Sequence, residues 1–260
     1  MPRSERSQRV EAIILRHSDW GETDRLLVLF TREKGKIRAI AKGIRRIRSR
    51  KAGHLEPFTR SSLQLAMGQD FWLVTQAETV AFFPALLEDL VRTGYAAYVI
   101  ELVDRFSMEE GQNVSLYTLL AETLQRIAEE PDPFTAVRYG ELRMLELFGF
   151  RPELFQCVRC GKAIEAEDQY FSAELGGAIC PQCGLGVKDA RPVSLEALKY
   201  LRHLQRSSYP VAKKAVIPPS VRNEMETLTQ HNITYNLERK LNTPEFLRRV
   251  KRNAARPDDA

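Results

Sequence analysis

The chain has 260 residues, 43% of them apolar and 28% charged, with a formal net charge of +5 and four cysteines. It can hold one large domain or two small ones; residues 1–10 carry no apolar run and nothing later reaches the roughly 18 residues of a bilayer span, so we expect no signal peptide, no membrane helix and a cytoplasmic protein. Lys and Arg outnumber Asp and Glu by 16 to 7 in residues 1–60 but are outnumbered 16 to 23 in residues 61–235, an imbalance that suggests a polyanionic partner, nucleic acid first, over a merely solubilising surface.

Residues 9 to about 82 read as short strands. Val, Ile, Leu and Phe dominate residues 10–16 and 25–31, with turn chemistry in Asp19, Trp20, Gly21 and Glu22 between them. In residues 35–43, Ile37, Ala39 and Ala41 share one face of a period-2 strand; Lys36, Arg38 and Lys42 share the other with Ile40. Residues 62–67 and 71–80 give two more strands across a Gly68-Gln69-Asp70 turn. Five short strands predict a small antiparallel barrel, of which the OB-fold is the common type that handles nucleic acid. Within it, residues 32–51 concentrate positive charge against Glu33 alone. Residues 43–53 are expected to be a flexible loop. Lys34, Lys36, Arg38, Lys42, Arg45, Arg46, Arg48, Arg50 and Lys51 are the candidate DNA-binding residues, suited to phosphate contacts more than to base readout. Phe30, Phe58 and Trp72 are candidate stacking rings, with core packing an equal explanation for each.

After Pro84 the apolar period becomes 3.6. Leu87, Val91, Tyr95, Tyr98, Leu102 and Phe106 mark one helix. Leu116, Leu119, Leu120, Thr123, Leu124 and Ile127 mark a second, behind Asn113 and Ser115 as cap signals, and Asp132-Pro133 opens a third that ends near residues 147–149. Cys157 and Cys160, then Cys180 and Cys183, form two C-x2-C pairs 19 residues apart, the spacing of a structural zinc site. Gly161 and Gly184 follow the pairs, as knuckle turns need. Four thiolates close the shell of one Zn2+ and leave no position for a reacting water. Free or redox cysteines and an iron–sulfur cluster are the alternatives. Acidic neighbours (Glu165, Glu167, Asp168, Glu174) outnumber Arg159, Lys162 and Lys188, which favours a staple over a DNA reader. Ser194 then caps a helix carrying Leu195, Leu198, Leu201 and Leu204, Pro218-Pro219-Ser220 opens another, and a basic helix near residues 244–252 closes the chain.

No phosphate-binding G-x-x-x-x-G-K, no G-x-G-x-x-G and no G-x-S-x-G is present. His17, His54, His203 and His231 stand alone, and the carboxylates of residues 87–104 and 141–146 read as solvated helix faces. His54-x-Glu56 with a C-x2-C resembles a deaminase signature, but Gln156 and Ile179, not proline, precede the pairs. We therefore assign no catalytic residue and expect a protein that acts by binding.

Several motifs follow one another in order: Gly21-Glu22-Thr23-Asp24-Arg25, Gly35-Lys36-Ile37-Arg38 with Ala41-Lys42-Gly43, and Leu55-Glu56-Pro57-Phe58. Residues 147–154 then run into Cys157, and Gly176-Gly177 precede Cys180. In this order and spacing the chain resembles the RecO family of bacterial DNA-repair and recombination mediators. The resemblance implies an N-terminal OB-fold and a C-terminal helical domain bearing a zinc finger. With the change of period near residue 82, we expect an α+β multidomain protein: an OB-fold barrel at residues 1–82, an α-helical domain at 83–250 with a four-cysteine zinc finger inserted at 155–190, and a disordered tail at 251–260. The resemblance also implies binding of single- and double-stranded DNA and annealing of complementary strands. The implied partners are RecR and single-strand-binding protein, and through them RecA, in the nucleoid of a bacterial cytoplasm. Three other readings stay open: an RNA-binding OB protein of translation or ribosome assembly, a nuclease barrel with a zinc appendage, and a protein hub with an incidental basic loop.

Overall fold

The computed structural model describes residues 7–109, 111–238 and 240–254. Five strands come first, β1 (Ser7–Trp20), β2 (Asp24–Thr31), β3 (Gly35–Ala41), β4 (Arg60–Met67) and β5 (Trp72–Ala81). Four helices follow, α1 (Ala85–Glu88), α2 (Leu90–Phe106), α3 (Val114–Glu129) and α4 (Phe134–Leu147). Beyond them lie β6 (Gln169–Ser172), β7 (Gly177–Ile179), α5 (Pro181–Gly184) and β8 (Arg191–Val193). The chain closes with α6 (Leu195–Arg206), α7 (Tyr209–Ala212), α8 (Pro219–Leu237) and α9 (Thr243–Ala254). Two compact units result, one of Met1–Glu129 with Asn242–Ala260 and one of Glu130–Leu241. Among the described residues no helix is long and apolar enough to cross a membrane.

In the first unit the strands close a barrel in the order β1-β2-β3-β5-β4. β1 pairs antiparallel with both β2 and β4, and β3 meets β5 in parallel, Ala39 opposite Trp72. This is the expected five-stranded OB arrangement. Ile37, Ala39 and Ala41 turn inward as their spacing predicts, joining Val10, Ile14, Leu27, Leu29, Leu63 and Leu65 in the barrel core, while Arg38 faces outward. Two local expectations fail. Asp19 and Trp20 lie in β1 and not in a turn, because the strand pairs on through Trp20 opposite Asp24, leaving Gly21 to turn at φ +59°. Where a flexible loop was expected, residues 43–51 are a loop tied down by hydrogen bonds and Ala52–His54 form a single 3-10 turn. The Gly43 amide donates to Asp24 Oδ1 (2.7 Å), the Arg45 amide to Thr23 O (2.9 Å) and the Ser49 amide to Arg46 O (2.9 Å), while Ile44 is buried in the core.

The helices of this unit start where side chains cap them. Asp89 accepts from the Val91 and Arg92 amides and splits the expected first helix, so that Leu87 is left exposed. Asn113 Oδ1 accepts from the Leu116 amide at the head of α3 (2.9 Å). α9 lies against α2, where Gly94 admits Leu247: a Cβ at Gly94 would stand 2.6 Å from Leu247 Cδ2. α9 continues to Ala254, so residues 251–254 are helical where a tail was expected; residues 255–260 of that tail lie outside the described residues.

In the second unit α4, α6, α7 and α8 pack around Phe134, Leu142, Leu198, Leu201, Leu204, Val221 and Met225. Ser194 caps α6 as predicted, its Oγ accepting from the Ala197 amide at 3.1 Å. A small sheet of order β7-β6-β8 leaves no periodic trace in the sequence, because its strands are only three or four residues long.

The solvated-face reading of the helical carboxylates is overturned at three positions. Glu101 accepts from the Asn242 and Thr243 amides and from Thr243 Oγ1 (2.7–3.1 Å), capping α9. Asp104 meets Arg16 Nε at 2.9 Å and Lys36 Nζ at 3.4 Å, which ties α2 to β1 and β3. Glu141 is fully buried, 3.0 Å from Arg138 Nε. Periodicity shows a helix's polar face, but not which strand or terminus will come to cover it.

Candidate metal centre and nucleic-acid interface

Two knuckles bring the cysteines together. In the first, the Gly161 amide donates to Cys157 O and the Cys157 amide to Lys162 O, both at 2.8 Å. Gly161 sits at φ +73°, so glycine is needed there for the turn. In the second, the Cys183 and Gly184 amides donate to Cys180 O (3.0 and 2.9 Å). Gly184 is needed for a reason other than turn geometry: a Cβ would collide with the ring of Tyr170. The Cys180 amide donates to Cys157 Sγ (3.4 Å) and the Arg159 guanidinium to Cys183 O (3.0 Å), linking the knuckles.

The four Sγ atoms lie within 4.8 Å of one another, and Cys160 and Cys180 are 4.0 Å apart. A tetrahedral ion with metal–sulfur bonds of about 2.3 Å requires sulfur edges of about 3.8 Å, so the four side chains can hold one metal ion. Burial pushes the Cys157 thiol up, but amide hydrogen bonds from Cys180, Cys160 and Arg159 outweigh it and bring it to about 6. At Cys183, hydrogen bonding with the Cys180 and Cys160 thiols pushes the group up to about 12. Without a cation, thiols this close resist ionising together. The site rests on the core of its unit, where Cys157 packs with Leu154, Ile164, Phe171, Ala178 and Ile179.

The basic candidates divide by what they touch. Lys36 donates to Asp104 O (2.5 Å), Arg38 meets Glu109 Oε1 at 2.6 Å, and Arg45 donates to Glu22 O (3.2 Å) and meets Asp19 Oδ2 at 3.4 Å. Lys51 donates to Val74 O (3.1 Å), and burial holds its ammonium below the usual lysine range. The Lys34 ammonium lies 5.0 Å from the centre of the Trp72 ring. Lys42, Arg46, Arg48 and Arg50 are exposed and form no ion pair with the described residues. Their loop is held to the β1–β2 turn by Asp24, whose carboxyl the Gly43 amide keeps below the usual range.

Of the three candidate stacking rings, Phe30 is fully buried against Tyr117 and can meet no ligand, while Phe58 and Trp72 are half-buried. Trp20 and Phe71, which the sequence reading passed over, form an aromatic pair on the barrel, with centroids 5.8 Å apart. The available signal was an indole among Asp19, Gly21 and Glu22, without apolar neighbours to explain it. The deaminase-like pair is accounted for structurally: His54 Nδ1 lies 2.7 Å from Thr79 Oγ1, and Glu56 meets Arg25 (2.9 Å) and His17 (3.2 Å).

Residues 6–83 match the family model for Recombination protein O N terminal, and residues 87–245 that for Recombination protein O C terminal. The chain is 38% identical over 247 residues to a protein of Roseiflexus sp. (strain RS-1), covering 95% of this chain and 87% of that one. It is 37% identical over 243 residues to one of Pelotomaculum thermopropionicum, covering 93% of each, and 35% identical over 231 residues to one of Dehalococcoides mccartyi, covering 89% and 91%. All three relatives are named DNA repair protein RecO. With both halves matched, in order and over nearly its whole length, the chain belongs to the RecO family.

Proposed function

We propose that this protein acts in DNA repair and homologous recombination as a mediator that works by binding. It holds single- and double-stranded DNA, anneals complementary strands, and with RecR helps RecA load onto DNA coated by single-strand-binding protein. The observation that carries this reading is the Arg-rich segment on an OB barrel. Lys42, Arg46, Arg48 and Arg50 are exposed and free of ion pairs among the described residues, on a segment held by hydrogen bonds. Such cations grip phosphate oxygens and release counterions without reading sequence. Lys34 lies over the Trp72 ring, while Lys36, Arg38, Arg45 and Lys51 shape the surface through their protein acceptors. Neutralising two strands side by side promotes pairing and needs no nucleotide.

The cysteine cluster holds one structural Zn2+ on Cys157, Cys160, Cys180 and Cys183. Zinc suits four thiolates in a closed tetrahedron, and its contribution is to fold stability. The deciding experiment is annealing of complementary oligonucleotides coated with single-strand-binding protein, without ATP. Annealing well above the spontaneous rate is expected. No acceleration, together with preference for single-stranded RNA in competition, overturns the proposal.

A further inference from the structure

Trp20 is the last residue of β1, beside the β1–β2 turn, and Phe71 lies in the β4–β5 connection immediately before β5. Their planes meet at 72°, edge to face. Trp20 is 45% exposed, Phe71 is half-buried, and neither belongs to the barrel core. An edge-to-face contact covers one face of one ring and leaves stacking surface on the pair. Packing alone gives no reason for an indole at this rim.

The surroundings point to a ligand. Asp19, next to Trp20, meets Arg45 at 3.4 Å and Arg25 at 3.7 Å, and the Arg45 amide donates to Thr23 O (2.9 Å). The Arg-rich segment is thus fixed to the turn that Trp20 enters. On the other side, Phe71 lines a cleft of about 270 Å3 with Trp72, Asp70 and the Arg38–Glu109 ion pair; the carboxylates of Asp70 and Glu109 leave the cleft to a base rather than a phosphate. The loops joining strands 1–2 and 4–5 are those that flank oligonucleotides on OB barrels.

We propose that Trp20 and Phe71 form a base-stacking platform for single-stranded DNA, beside the phosphate-holding arginines. The inference rests on the DNA-binding reading above and adds to it a means of telling strands apart. Every base has a π-face, so stacking is indifferent to sequence. In a duplex those faces are closed against neighbouring pairs. The platform therefore favours single strands, while the arginines serve both forms.

Trp20 and Trp72 are the two tryptophans of the chain, which gives a direct readout. In the full-length Trp72→Phe variant, Trp20 fluorescence should quench on adding a deoxythymidine oligonucleotide. Trp20→Ala should weaken binding of that oligonucleotide about five- to hundredfold, change duplex binding less than about twofold, and leave the salt dependence as it was. Trp20→Phe should retain most of the affinity, and circular dichroism of each variant checks folding. Arg46→Ala/Arg48→Ala/Arg50→Ala should instead flatten the salt dependence for both forms. Unchanged single-strand binding by Trp20→Ala, or equal losses for both forms, overturns the platform while the arginine result stands. If the wild-type chain binds neither form, the DNA-binding reading falls and takes the platform with it.

Discussion

Glu141 lies in the middle of α4, fully buried, with Arg138 one turn before it at 3.0 Å and Thr229 Oγ1 accepting from the same guanidinium at 3.2 Å. Burying two opposite charges contributes little net stability, because desolvation offsets their attraction. Breaking the pair is another matter, since the remaining charge stays in a low-dielectric core. Glu141→Ala should destabilise the protein by about 3–5 kcal/mol, read as a lower urea midpoint. Changing both residues to apolar ones of similar volume should restore much of that loss. Equal destabilisation by the single and double variants would show that the residues do not act as a pair.

At the scale of elements, α9 shows how one carboxylate places a helix. Glu101 is 12% exposed at its side chain and takes its hydrogen bonds from the Asn242 and Thr243 amides and the Thr243 hydroxyl. Burial pushes this carboxyl up, but those hydrogen bonds, helped by Arg105, outweigh it and hold the group below the usual carboxylate range. A carboxylate depressed in the folded state stabilises above its unfolded pKa, and that contribution fades as pH falls through the folded value. Docking of α9 should therefore be intact at pH 7 and weaken below about pH 4. Glu101→Gln should lower stability at pH 7 by about 1–2 kcal/mol and remove this part of the acid dependence, measured as amide exchange in α9 at pH 7 and at values stepped down below about pH 4. An unchanged exchange profile in the variant would disprove the tether.

Such tethers mark the limit of what the sequence shows. The strands around Ile37, Ala39 and Ala41 were legible because a period of two is local. So were the caps Asn113 and Ser194 and the cysteine knuckles, whose partners lie only three to five residues away. The extent of β1 was not legible, since it depends on β2 and β4. Nor was the burial of Glu101, Asp104 and Glu141, whose partners lie across α9, across the barrel strands and within a packed core. For the basic segment the sequence showed the charge but not its division. Whether a lysine meets solvent or a carbonyl, as Lys42 and Lys51 differ, is decided by contacts distant along the chain.

At the scale of the molecule, the basic segment and the cysteine cluster fall in different units. The Arg-rich segment lies in the unit of Met1–Glu129 with Asn242–Ala260, and the four cysteines lie in Glu130–Leu241. If the metal staples its own unit, its removal should act there first. Structural zinc contributes about 10 kcal/mol or more in small domains, comparable to the whole stability of a typical domain at about 5–15 kcal/mol. Chelation should therefore unfold the cysteine segment and not merely loosen it. Amide exchange should rise sharply in peptides from 153–193, where the first knuckle is stitched to β7 by the Val158 and Ala178 amides. It should spread into the core that Cys157, Leu198 and Leu201 share. Peptides of β1 and β4, paired over seven residues from Ser7 to Ile13, should keep their protection, and DNA binding through the arginines should persist. The reverse outcome, protection retained at 153–193 with DNA binding lost, would make the cysteine knuckles the reader of DNA and the barrel its support.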